Sequence, residues 1–356
     1  MSETVTKKVI AHVTFSFTNG GTENVIVDLV NFQVNIFPVV MLVIINNAVD
    51  EDLLKQVDAR VVVIRLKRSP GSRSPMHVIR LNRILLTYNP DVIHAHHEKV
   101  ISLIYGASGK KILTVHATGY EVGNMHKYSK VIGISPAVEY DVKARSTNLL
   151  NAAIMPNGVD TGKVRSRWLG NFKSPLKMVQ IGRLVHSVKG QHILLSALHQ
   201  LLTVHKVHDF EMHFVGEGPS REFLEQLCHS LGLQKQVSFL GLKDRDWIYD
   251  NLCEYGLLIQ PSLEEGFGLA IAEAMAANVL SVVADLPAPM MLIENGRLGY
   301  YFEKGNAGSC AATIMEVINS SQDQRQKMRE AAREHVLTHY SLQTMNEAYV
   351  SLYNAS

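Results

Sequence analysis

The chain has 356 residues, 46% of them hydrophobic, and a formal net charge of +2. The length favours two domains of ordinary size, the composition is that of a soluble globular protein, and the charge excludes a polycation. Cys228, Cys253 and Cys310 lie far apart and form no C-x-x-C, which points away from a disulfide scaffold or a cysteine zinc site and towards a reducing compartment.

The opening residues are polar and charged, without a signal-peptide pattern, so a cytoplasmic protein is expected. Residues 9–17 read as a first strand, Thr18-Asn19-Gly20-Gly21 as a turn, and 22–35 as a helix with Val25, Leu29 and Phe32 on one face. The apolar run 36–45 contains Pro38 and is too short to span a bilayer. Strands are expected at 37–45 and 61–66, and a helix at 75–88 stopped by Asn89-Pro90. Short strands follow at 92–95, 111–115 and 130–134, after which Ser135-Pro136 opens another helix. The turn residues from Ile154 to Asp160 break this rhythm, and a loop runs on to about Pro175. The rhythm then restarts with strands at 177–181, 211–215, 237–240, 255–260 and 280–284, separated by helices at 191–205, 220–231, 245–252 and 269–277. Helices from Ala307 close the chain. Alternating strands and helices mean parallel sheets covered on both faces. The expected fold class is α/β, with two Rossmann-like doubly wound domains facing across a cleft and ligands beyond the carboxyl ends of the strands. Charge divides unevenly: residues 1–156 carry +5 and the remainder −3.

Four loops fall where strands end. Gly20-Gly21 is glycine-rich but is no G-x-G-x-x-G, and by itself it reads equally well as a tight turn. In the stretch from Gly182 to Gly190, Arg183 and Lys189 bracket a strand-to-helix loop. Such cations can hold a diphosphate and stabilise charge on it as it leaves, or be solvated surface charges. Val215-Gly216-Glu217-Gly218-Pro219 is a structural turn by itself. The richest loop is Pro261 to Ala276, where Glu265 and Glu273 stand with seven residues between them and Gly266-Phe267-Gly268-Leu269 lies behind the first. Glycine there opens a helix N-terminus, whose free N–H groups suit a phosphate or sugar hydroxyls, and carboxylates accept from vicinal hydroxyls.

Together these motifs resemble the second domain of retaining glycosyltransferases of family 4, which have the GT-B fold. The first half agrees in Gly20-Gly21-Thr22-Glu23, Asp91-Val92-Ile93-His94-Ala95-His96-His97, Thr114-Val115-His116 and Ile134-Ser135, and Pro156-Asn157-Gly158-Val159-Asp160 resembles the family's linker. The resemblance implies an acceptor-binding domain over 1–156, a nucleotide-sugar-binding domain over 157–340, and a C-terminal helix over 341–356 packing back toward the first domain. It implies that Glu273 holds the ribose of a nucleotide diphosphate sugar (UDP- or GDP-linked), and that Glu265 with the backbone of Gly266, Phe267, Gly268 and Leu269 holds the donor sugar. Arg183 and Lys189 would neutralise the diphosphate, Gly20 and Gly21 would approach the donor phosphates, and His116 would lie beside the transferred sugar. Glu265, His116, Arg183 and Lys189 form the implied catalytic set. The implied reaction is retaining transfer of a sugar to a hydroxyl of a glycan or lipid-linked acceptor in lipopolysaccharide, O-antigen or exopolysaccharide synthesis, with no cofactor and no metal.

Two departures stand out. The family's Gly-Gly and Glu after the strand ending at Ala284 are replaced by a loop, Asp285-Leu286-Pro287-Ala288-Pro289-Met290-Met291, and His186-Ser187-Val188 stands where Pro-Glu is usual before the lysine. Alternatives are a sugar-nucleotide epimerase of GT-B architecture, a non-catalytic sugar-nucleotide binder, and a glycoside hydrolase, which fits less well because Glu265 and Glu273 are placed too differently to flank one bond. His94, His96 and His97 invite a metal reading, but no carboxylate or cysteine at ligand spacing accompanies them. Arg65, Lys67, Arg68, Arg73, Arg80 and Arg83 are uninterrupted by acid and lie beside Val78, Ile79, Leu81, Leu85 and Leu86. That composition can dock on the anionic inner face of a membrane or be a half-buried helix with a solvated basic face. It lacks interleaved aromatics, so nucleic acid is not expected as a partner.

Overall fold

The computed structural model describes residues 8–18, 20–146, 151–167 and 172–355; Asn19 of the expected turn and part of the loop before Pro175 lie outside them. The chain divides into two compact units, Met1–Gly158 with Leu342–Ser356, and Val159–Ser341.

The first unit contains β1 (Val9–Thr14), α1 (Gly21–Gln33), β2 (Val39–Asn46), α2 (Glu51–Leu54), β3 (Val62–Arg68), α3 (Met76–Tyr88), β4 (Val92–Ala95), β5 (Lys110–Val115), β6 (Lys130–Gly133), α4 (Pro136–Arg145) and β7 (Ala152–Ile154). The second contains β8 (Leu176–Ile181), α5 (His186–Lys189), α6 (Gln191–Thr203), β9 (Phe210–Val215), α7 (Arg221–Ser230), β10 (Val237–Gly241), α8 (Arg245–Asn251), β11 (Leu257–Gln260), α9 (Leu269–Ala276), β12 (Leu280–Ala284), α10 (Pro287–Leu292), β13 (Tyr300–Phe302), α11 (Ala307–Asn319) and α12 (Gln322–His339). The last helix, α13 (Leu342–Asn354), belongs to the first unit and packs against α1.

All ladders are parallel. Among the described residues the first sheet runs β3-β2-β1-β4-β5-β6-β7 and the second β10-β9-β8-β11-β12-β13. Helices on both faces explain why central strands are apolar without alternation: in β2 every residue but the first and last is buried. Strand order reverses between β1 and β4, and again between β8 and β11. Ligands in such sheets bind where the carboxyl ends of the two switch strands diverge.

The strand–helix alternation predicts this architecture. The edge strands β7 and β13 were not legible, because three residues display no period. The expected loop after Ala284 instead turns at Asp285 and enters α10, with Pro287 at the helix start where a missing N–H costs nothing. Among the described residues no helix is long and apolar enough to cross a membrane.

Candidate functional site

In the second unit the loops after β8 and β11 lie side by side. Helix α5 ends at Gly190, whose φ is +65°, and a Cβ there would lie 1.8 Å from the Pro261 carbonyl oxygen. Only glycine therefore lets the two loops touch. The N–H groups of Leu263 and Glu264 both donate to the Val188 carbonyl, at 2.8 and 3.1 Å. This seating carries Lys189 Nζ to 2.7 Å from Glu265 Oε2, and Ser262 Oγ donates to the same oxygen at 3.2 Å. The two ionic side chains are only 22% and 11% exposed, so water screens the pair less than a surface pair.

Beyond Glu265 the chain turns through Gly266 and Phe267 to Gly268, whose φ of +104° is a left-handed value that favours glycine. Gly268 is the N-cap of α9 and supplies no side chain to its N–H groups. The Phe267 ring is buried against Tyr340, 5.7 Å between centroids, which leaves its backbone as the part that can meet a ligand. Leu269 is half-buried, and Glu273 lies further along α9 and is buried. Arg183 stands exposed on the loop from β8, its carbonyl braced by Gln191 Nε2 at 3.0 Å. The structure thus brings Lys189 and Glu265 into direct contact on one switch point, with Arg183 on the loop that leads to Lys189. Ser262, which completes the carboxylate's hydrogen bonding, is absent from the residues the sequence pattern marks, although its place three residues before Glu265 is visible there. Asp285 of the unusual loop holds the fold together locally. Its Oδ1 accepts from the Lys304 N–H at 2.7 Å, which ties the end of β12 to the chain after β13.

In the first unit Gly20 caps α1 and its carbonyl accepts from both the N–H and the Nδ2 of Asn24, at 3.1 and 2.9 Å; Gly21 is exposed. The switch point there carries a buried polar network. His12 pairs in register with His94 across β1 and β4, and His94 with Ile112 across β4 and β5. The period of two then places His12, His94, His96, Thr114 and His116 on one face. All five are buried. Gln33 Oε1 lies 2.8 Å from His12 Nε2, His12 Nδ1 is 3.0 Å from His96 Nε2, and His96 Nδ1 is 3.1 Å from His116 Nε2. His94 bridges Tyr353 at 2.5 Å and Thr114 at 2.7 Å, and Thr114 meets the Tyr349 hydroxyl at 2.9 Å. Burial disfavours the charged imidazole and lowers the pKa of His12 and of His116 to about 4, and it holds His94 and His96 well below the usual histidine range. His116 Nδ1 is buried without a partner.

One nitrogen each from His12, His94 and His96 come within 4.8 Å of one another. The metal reading of the sequence groups His94 and His96 with His97 instead. His97 is set apart from that network: its Nδ1 pairs with Glu98 at 2.9 Å and its ring packs edge-on to Phe15.

The basic stretch is narrower than the sequence implies. Arg65 is engaged by Glu51 at 2.7 Å and Arg68 donates to the Ser72 carbonyl at 2.6 Å, both half-buried. Lys67, Arg73, Arg80 and Arg83 are exposed. Leu81 and Leu85 face the core, whereas Met76, Ile79, Leu86 and Tyr105 are 57%, 58%, 59% and 64% exposed. Pro75, Ile79, Asn82, Arg83, Leu86 and Tyr105 line a shallow groove along α3.

Two units, each a parallel sheet whose strand order reverses at its switch point, define the GT-B fold. Residues 19–163 match Glycosyltransferase Family 4 and residues 166–335 match Glycosyl transferases group 1, so the chain carries one of these two family domains in each half. It is 29% identical over 173 residues to an uncharacterized glycosyltransferase of Methanocaldococcus jannaschii, covering 49% of this chain and 43% of that protein. It is 26% identical over 206 residues to the putative colanic acid biosynthesis glycosyltransferase WcaL of Salmonella typhimurium, covering 56% and 50%. The chain therefore spans half or less of the length of these two curated relatives. A crystal structure of Anabaena HepE in complex with UDP and glucose superposes with a TM-score of 0.81 at 20% identity, covering 98% of this chain and 100% of that one.

Proposed function

We propose that this protein transfers a sugar from a nucleotide diphosphate sugar to a hydroxyl, with retention of configuration and without a metal ion. The observation that carries the reading is the Lys189–Glu265 pair on the β8/β11 switch point, beside a helix whose N-terminus glycine leaves open. Without donor, Glu265 neutralises Lys189. When a diphosphate arrives, Lys189 and Arg183 hold its oxygens and stabilise the charge that grows as the bond to the sugar breaks. Glu265 is then released to accept from hydroxyls of the moving sugar, with the backbone N–H groups beyond it, while Glu273 accepts from the ribose. The nucleophile is the acceptor hydroxyl, and the departing phosphate takes its proton. Two cations on fixed loops supply the charge that a divalent ion supplies elsewhere.

The hydrolase alternative is weaker, because Glu265 is tied to Lys189 and Glu273 sits along α9, so the two do not face one bond. An epimerase or a silent binder shares the donor site but releases no nucleoside diphosphate to an acceptor. The complex of HepE with UDP makes uridine donors the first to try, and the name of WcaL directs the acceptor search to cell-surface glycans. A thermal-shift screen against UDP-, GDP- and ADP-sugars is the test. One donor should raise the melting temperature, as a ligand of the native state must; no shift with any donor at millimolar concentration contradicts the reading.

We also propose that the exposed face of α3 rests on an anionic membrane carrying a lipid-linked acceptor. Met76, Ile79 and Leu86 alternate there with Arg80 and Arg83, and Tyr105 lies alongside. Reversing the charge of Arg73, Arg80 and Arg83 should lower binding to phosphatidylglycerol vesicles; unchanged binding removes this part of the proposal.

A further inference from the structure

The histidine network of the first unit has a direction, and that direction reaches His116. A neutral imidazole owns one N–H and one bare nitrogen. Burial of all four rings keeps them neutral. Gln33 presents its amide oxygen, which only accepts, to His12 Nε2. His12 must therefore carry its proton on Nε2 and leave Nδ1 bare. His96 Nε2, 3.0 Å away, must then donate to His12, which leaves His96 Nδ1 bare. His116 Nε2, 3.1 Å from that atom, must donate in turn. The count ends on His116 Nδ1, a bare acceptor with no partner and almost no exposed surface. Turning the Gln33 amide over would reverse every donor in the row and put a proton on that same atom. The amide's other end faces the Tyr353 hydroxyl without closing a hydrogen bond of normal geometry.

We propose that Gln33 is a positioning residue which, through His12 and His96, fixes His116 in the Nε2–H tautomer, so that His116 meets a ligand only as an acceptor. An acceptor sealed there has use only for an O–H or N–H brought against it, and turns away a phosphate oxygen, which has no proton to offer. The role for His116 rests on the transferase reading above; the tautomer does not. The sequence alone offers no reason to choose Gln33, because its link to His116 passes through two other side chains, one in β1 and one just after β4.

The test uses full-length protein with 15N-labelled histidine at pH 7.5 and long-range proton–nitrogen correlation, with His116 assigned by the signals lost in His116→Asn. Wild type should show His116 with Nε2 protonated and Nδ1 unprotonated, in a single tautomer. Gln33→Met and His12→Phe each remove the anchor of the row and should turn His116 into a mixture of tautomers. Tyr349→Phe removes a buried hydroxyl that meets Thr114 and not the row, and should leave His116 unchanged, which separates the relay from general loosening of the core. A protonated Nδ1 in wild type overturns the proposal, and it does so even if neither anchor variant folds. An unchanged His116 in Gln33→Met overturns it as well. UDP titration of the same samples reports on the second unit, so loss of the transferase reading would be seen separately from loss of the relay.

Discussion

The two switch points of this molecule solve different problems. In the second unit the strand ends carry charges on short loops: Arg183 exposed, and Lys189 and Glu265 paired at 2.7 Å and partly open to water. In the first unit they carry neutral groups sealed in the core, and two tyrosines from α13 complete the hydrogen bonds. The charged site can respond to an incoming anion because its cation is already held by a partner that the anion can replace. The neutral site can only orient, since burial forbids it a charge. One chain thus builds a responsive half and a rigid half on the same sheet topology.

The largest effect should come from the glycine that joins the two loops of the responsive half. Gly190→Val sets a branched side chain against the Pro261 carbonyl at a left-handed backbone position, and should cost about 3 kcal/mol or more. Trp247 lies in α8 of the second unit, and Trp168 lies outside the described residues. The loss should therefore appear in the tryptophan-fluorescence melt. A melt unchanged within about 2 °C would mean that the loops do not touch as described, since a loss of that size moves a domain's midpoint by several degrees.

The rigid half should be the acid-sensitive one. Its folded histidines titrate far below the unfolded value near 6.5, with His12 and His116 at about 4. Between those values the unfolded chain binds more protons than the folded one. The stability these groups contribute is therefore complete above pH 6.5 and is lost as the pH falls toward 4, by about 1 kcal/mol or more per pH unit. Circular dichroism melts from pH 7.5 to 5 should fall, and replacing His12 with Phe should flatten the fall. A melting temperature constant over that range would contradict the neutral network.

A smaller effect tests the replaceable partner. Glu265→Gln frees Lys189 from its ion pair, and should tighten binding of UDP alone by up to about fivefold, the worth of about 1 kcal/mol. Calorimetric titration at low salt measures it. Weaker UDP binding would mean that Glu265 organises the site for the diphosphate rather than competing with it.

The charged half was largely legible in the sequence. Arg183, Lys189, Glu265 and Glu273 lie on loops and a helix start marked by glycine, although Lys189 and Glu265 stand 76 residues apart in the chain and 2.7 Å apart in the fold. The neutral half was not. His116 stands out only through family resemblance, and His94 and His96, with His97, invite only a metal reading that their spacing does not support. Their partners are Gln33 at the end of α1, His12 in β1, and Tyr349 and Tyr353 on the last helix, hundreds of residues away for the tyrosines. Buried hydrogen bonds between distant elements leave no local period. The available signal was histidine or threonine at alternate positions on apolar strands, which has no meaning until strand register is known. Arg65 and Arg68 failed for the same reason: their partners Glu51 and the Ser72 carbonyl are set by the packing of the chain around β3.

The proposed transfer depends most on Lys189, which would stabilise a departing nucleoside diphosphate. The direct measurement is the rate of nucleoside diphosphate release from the donor selected by thermal shift, for wild type and Lys189→Ala at saturating donor and acceptor. The variant should lose about 10²- to 10³-fold, the usual effect of removing one group that stabilises developing charge, with the second unit still folded by tryptophan fluorescence. Release at the wild-type rate from the Lys189→Ala variant would contradict that role for Lys189.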